Sequence, residues 1–126
     1  MKRVFLTLLL IAGIGTTVFA QNAIPQKEDV ATQRAKNLEQ ILAASKNAGL
    51  DEKQTAEVKT IIEDLYKKQD EINGDASLTP EQKKEKLKAA NGEKDWKLQN
   101  AMGDKWTAYV EARKKLIAEA AAKKQQ

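Results

Sequence analysis

The sequence predicts an all-α fold, a small up-and-down helical domain of three to four helices behind an N-terminal signal peptide. Three observations predict it. Alanine, lysine, glutamate, glutamine and leucine dominate the composition, and after the first twenty positions β-branched residues run no longer than Thr60-Ile61-Ile62, which favours helix over sheet. Two stretches, Leu50-Asp51-Glu52-Lys53-Gln54 and Leu78-Thr79-Pro80-Glu81-Gln82, each fill successive slots of a helix N-terminus. Between these markers, apolar residues recur at helical spacing.

The chain begins with a basic head, Met1-Lys2-Arg3, then an apolar stretch from Val4 to Ile14 and a small-x-small site at Val18-Phe19-Ala20. This is the pattern of a secretory signal. The apolar stretch is short for a membrane span and is interrupted by Gly13, Gly15 and two threonines. Cleavage after Ala20 leaves one domain, 21–126, that starts at Gln21 and is not embedded in a membrane. Losing Lys2 and Arg3 lowers the formal charge from +4 to +2, a near balance that argues against nucleic acid as a partner. With no cysteine there is no lipid attachment point and no disulfide, so the fold must rely on helix packing or self-association.

Pro25 precedes the first helix, expected from about Gln26 to Ala48 with Ala31, Ala35, Leu38, Ile41, Leu42 and Ser45 on one stripe. Gly49 stops it. Asp51 is then an N-cap, with Gln54 at N3 to close a capping box. The second helix, Glu52 to about Ile72, places Val58, Ile61, Ile62, Leu65, Tyr66, Gln69 and Ile72 on one face. Asn73-Gly74-Asp75-Ala76-Ser77 reads as a loop. In the third helix Thr79 caps, Pro80 occupies N1 where its missing N–H is harmless, Glu81 meets the helix dipole, and Gln82 closes a second box. Leu78 is placed to act as a hydrophobic staple, although its N4 partner is Lys83.

The third helix has a weak inner stripe of Leu87, Ala90, Lys94, Leu98 and Ala101. Its opposite face gathers Ala89, Gly92, Trp96 and Gly103. This face has two readings: an exposed tryptophan among small residues, or a contact surface for a second copy or a client. Gly103-Asp104 breaks or kinks the helix. The fourth helix then carries Trp106, Tyr109, Val110, Leu116, Ile117 and Ala120 on one side, to about Ala122. Trp106 and Tyr109 read as core.

The paired Leu-Thr-x-x-Gln pattern, complete at Leu78 to Gln82 and with Asp51 replacing threonine at Leu50 to Gln54, resembles the LTxxQ family of the bacterial periplasm, the Spy/CpxP group. A third helix start common in that family would fall at Met102-Gly103-Asp104-Lys105-Trp106, where the pattern has decayed. The likeness spans roughly Leu50 to Lys115. It implies a periplasmic, ATP-independent chaperone-like protein of envelope stress that binds non-native proteins on a concave helical surface. Some relatives instead contact the ectodomain of a membrane sensor kinase, which makes an adaptor the first alternative. A heavy-metal branch is the second, but it uses soft or imidazole ligands, and beyond the signal segment only Met102 qualifies.

The residue inventory removes whole mechanisms. Without histidine or cysteine, neither Ser-His nor Cys-His nucleophilic sites nor Cys/His zinc sites can be built. No enzymatic activity and no cofactor is expected. Asp70 to Glu81 spans the length of an EF-hand loop, but Ile72, Gly74 and Asp75 occupy positions that need other residues. No phosphate-binding loop is present. The carboxylates fall instead into i,i+4 pairs, Glu63 with Lys67, Asp64 with Lys68, Glu93 with Lys97, Glu111 with Lys115 and Glu119 with Lys123. Lys83, Lys84, Lys86 and Lys88 spread around a solvated helix. Alanine-rich helices with one weak stripe bury little apolar surface, so a homodimer is expected.

Overall fold

The computed structural model describes residues 29–125. The expected signal segment and Gln26 lie outside the described residues. Four helices follow in order: α1 (Val30–Asn47), α2 (Glu52–Gly74), α3 (Pro80–Met102) and α4 (Trp106–Lys123), with a 3-10 turn over Gly103–Lys105. No strand occurs among the described residues. Cross-helix bonds tie α1 to α2 through Arg34 and Asp70, α2 to α3 through Lys68 and Glu93, and α4 back to α1 through Arg113 and Asn37.

The junctions explain the element order. At the end of α1, Gly49 has φ 78°, and its N–H donates to the Lys46 carbonyl while that of Leu50 donates to the Ser45 carbonyl. That double closure is a Schellman motif, which needs the left-handed conformation glycine adopts freely. The next residue opens a capping box: Asp51 Oδ1 accepts from the Gln54 N–H at 2.7 Å, and Gln54 Oε1 accepts from the Asp51 N–H at 3.3 Å. The same device starts α3, with Thr79 Oγ1 accepting from Gln82 N–H at 3.2 Å and Gln82 Oε1 from Thr79 N–H at 2.9 Å. Neither α1 nor α4 has a side-chain cap. Asp104 thus does not cap α4, whose N-cap position is Lys105.

Several expectations need correction. Asn73 and Gly74 belong to α2, not to the loop. Burial of Ile72 and the bond from Lys83 Nζ to the Asn73 carbonyl hold that last turn. The loop is tightened by Asp75, whose carboxylate accepts from both the N–H and the hydroxyl of Ser77. Leu78 packs with Leu87 against Leu65, Ile72 and Ala90. On α1, Ala31 and Ala35 are exposed, while the unassigned Ala44 is fully buried beside Ile41 and Ser45. Ser45 satisfies its hydroxyl by donating to the Ile41 carbonyl at 2.8 Å.

The core is thin and in two parts. Ile41, Ala44, Val58, Ile62, Leu98, Met102 and Tyr109 form the larger cluster, where all four helices meet. The smaller one sits at the loop end of the α2/α3 hairpin.

Charged residues hold this hairpin differently from the i,i+4 expectation. Glu93 does pair with Lys97 at 2.8 Å, but it also takes Lys68 from α2, which therefore does not pair with Asp64. Glu63 faces Lys59 and Glu111 faces Lys114. Hydrogen bonds from Lys68 and then Lys97 hold the Glu93 carboxyl down at about 2. Asp70 and Asp75 are lowered too, by hydrogen bonds from Arg34 and Ser77 respectively. A carboxylate held below its ordinary value stabilises the folded state above that value and loses this contribution as pH falls through the folded one. With no histidine in the chain, the urea midpoint is expected to be nearly flat from pH 7 to about 5 and to fall between about pH 4.5 and 2. In Glu93→Gln that fall should be shallower, and high salt should shrink the difference, because the pair is exposed and screened. An unchanged acid limb in the variant would contradict the assignment.

Candidate binding groove

The helices pack unevenly. Mainly α2 lies against α3 and α1 against α4, whereas α3 and α4, although joined by a short turn, touch each other little. That turn is set by Gly103, at φ 57° and ψ −124°, a conformation open to glycine and strained for side-chain-bearing residues. Beyond the turn a groove of about 370 Å³ opens between α3 and α4 and reaches the inner faces of α1 and α2. Its floor is apolar, built from Ile41, Ile62, Leu65 and Leu98. Trp106 and Tyr109 form one wall, their rings stacked at 5.7 Å. Tyr109 is buried, which pushes its phenol above the ordinary range, so it stays neutral and acts as packing. Ile117, expected inward, is half exposed at the rim.

A polar chain crosses the helices at this groove. Arg34 donates two hydrogen bonds to the Asp70 carboxylate, Nη1 to Oδ2 and Nη2 to Oδ1, both at 2.8 Å, and its guanidinium lies 4.9 Å from the centre of the Tyr66 ring. Tyr66 donates its hydroxyl to the Arg34 carbonyl and accepts from Asn37 Nδ2 at 2.8 Å. Asn37 Oδ1 in turn accepts from Arg113 Nη2 at 2.6 Å. There the chain ends. Arg113 Nη1 is buried without an acceptor, and Arg113 has no carboxylate within ion-pair distance among the described residues. The sequence reading missed Arg34, Asn37 and Arg113 because it followed apolar residues only. The available signal was positional, since Arg34 and Asn37 continue the Ile41 stripe and Arg113 lies three residues after Val110.

The residues singled out in the sequence fall in other places. Leu50 packs against the larger core cluster and Leu78 against the smaller, so the two motifs sit at opposite ends of the α2/α3 hairpin. Gln54 does more than cap: its Nε2 donates to the Ala101 carbonyl at 3.2 Å. Its Oε1 also accepts from Lys105, which reaches the Gly49 carbonyl at 2.6 Å as well. The decayed third motif thereby docks onto the first. Ala89, Gly92, Trp96 and Gly103 are all exposed, with Trp96 at 65% of its full accessibility. A side chain at Gly92 would meet nothing within 4 Å, so no close helix approach within the chain requires glycine there. Gly103 is explained by its backbone.

Among the described residues, no group of three or more His, Cys, Asp or Glu side chains could hold a metal ion, and no helix is long and apolar enough to cross a membrane. The chain matches no protein-family model, and neither a curated protein nor a solved structure matches it significantly.

Proposed function

We propose that this chain is an exported, ATP-independent chaperone-like protein of the Spy/CpxP kind, which holds non-native proteins in the periplasm and acts as a homodimer rather than as an enzyme. The observation that carries this reading is the open groove between α3 and α4, whose walls leave Trp106, Val110 and Ile117 partly exposed above a buried apolar floor, in a domain whose core is already thin. A small protein that leaves such surface accessible forgoes burial it could use, and binding surfaces are where that happens. The groove opens sideways, so a chain can enter and leave without any energy-driven step. The resemblance at Leu50 to Gln54 and Leu78 to Gln82 supports the same class. Trp96, on the outer face of α3, is the proposed dimer contact, since a second copy would cover an aromatic that nothing covers in the single chain.

The test has two arms. At equimolar ratio the protein is expected to suppress light scattering from an unrelated, chemically denatured substrate diluted into buffer without nucleotide. Sedimentation should give a dimer, with Trp96→Glu shifting it toward monomer. A monomer that leaves aggregation unchanged, yet binds one sensor-kinase ectodomain tightly, would move the function to the adaptor class.

A further inference from the structure

We infer that the α3/α4 groove selects client segments in which an acidic residue is flanked by apolar ones, with Arg113 as the counter-charge. This rests on the client-holding reading and names the chemistry of what is held. The first argument is charge. The groove is lined by Arg113, Lys94 and Lys114 against a single acid, Asp95. Asp95 is engaged by Lys94 at 2.7 Å, and Lys114 by Glu111 at 3.0 Å. Arg113 alone lacks an anion. Among the described residues its sole hydrogen-bond partner is the neutral amide oxygen of Asn37.

The second argument is desolvation. A guanidinium nitrogen buried without an acceptor is an unfavourable arrangement, and a bound acceptor would relieve it. Turning the head group toward the groove would give Nη1 an acceptor on a bound carboxylate while Nη2 keeps Asn37. An Arg–carboxylate contact in a partly dry setting is among the stronger polar interactions available. The third argument is shape. About 370 Å³ is near the lower end of the roughly 300–1,000 Å³ range of ligand sites, suited to a few side chains of an extended segment and too small for a helix. Residues on both sides of the acid would lie against the partly exposed Trp106, Val110 and Ile117 of the groove wall. Because the groove is open along the α3/α4 divergence, its occupant is a polypeptide passing through.

The test is titration calorimetry of the unsubstituted protein with three end-blocked pentapeptides, each with leucine and phenylalanine on either side of a central aspartate, asparagine or lysine. The aspartate peptide is expected to bind about tenfold more tightly than the asparagine one, the ratio expected for one charge-assisted bond, and the lysine peptide most weakly. In Arg113→Gln the aspartate-to-asparagine ratio should fall to about one while the asparagine peptide keeps its affinity. Equal affinities for the aspartate and asparagine peptides on the unsubstituted protein would overturn the inference, even if the variant fails to fold. So would absence of binding by all three, or octanoate binding as tightly as the aspartate peptide. Suppression of aggregation persisting alongside any of these results would leave the client-holding reading standing; its loss would count against that reading itself.

Discussion

Ile62→Ala is expected to lower the free energy of unfolding by about 2–5 kcal/mol, the range for truncating a buried aliphatic side chain to alanine. Ile62 is 1% exposed and lies in the cluster where α1, α2, α3 and α4 converge. Removing it takes away packing from all four helices at once. Small domains of this length carry a total stability of about 5–15 kcal/mol, and a thin, two-part core without disulfides points to the lower part of that range. The variant should therefore be partly unfolded at 37 °C. Urea denaturation followed by circular dichroism measures the effect, and Ile117→Ala is the control. Ile117 is 49% exposed at the groove rim, so its truncation should change stability by about 0.5 kcal/mol or less. Equal midpoints for the two variants would show that the four helices do not share one core.

The double variant Asp51→Ala with Thr79→Ala should lose about 1–4 kcal/mol, each missing cap contributing about 0.5–2. Near additivity is expected. The two caps lie at opposite ends of α2, a helix of 23 residues, which places them about 30 Å apart, well beyond the range of direct coupling. Asp51 has an additional consequence. Gln54, its partner in the box, also bonds the Ala101 carbonyl and receives Lys105, so loss of Asp51 frees the side chain that ties α2 to the α3–α4 turn. The Asp51 single variant should accordingly be the more damaging of the two. Denaturant midpoints of both single variants equal to the parent would show that these bonds carry no net stability.

What could be read in advance depended on how local the determining contacts are. Both capping boxes, the Gly49 stop and the break at Gly103 are settled within four or five residues, so spacing alone reveals them. The inward stripe of α2 was equally legible, because every fourth residue reports on the same neighbour. The α1 stripe failed at its N-terminal end, where Arg34 and Asn37 turn inward and Ala31 and Ala35 do not. Their inward turn depends on Tyr66, Asp70 and Arg113, partners between 29 and 76 positions away. Exposed ion pairs were read less well, because their energies are small enough for a lysine to prefer a carboxylate on another helix. That is what Lys68 does with Glu93. The groove itself was not legible at all, since it arises from the divergence of two helices whose sequences only show that they are weakly amphipathic.

The unequal capping of the four helices bears on how the domain fluctuates. The central hairpin of α2 and α3 carries two closed boxes, whereas α4 starts from Lys105 without a side-chain cap after a glycine turn. Local opening follows such differences, with segments of low local stability detaching as cooperative units while the remainder stays folded. The slowest-exchanging amides should then belong to α2 and α3, and α4 should swing out first, hinged at Gly103. Each such excursion widens the space between α3 and α4, so on the client-holding reading the resting groove would set a lower bound on what it can admit, with bulkier segments entering by borrowing from the domain's own fluctuations.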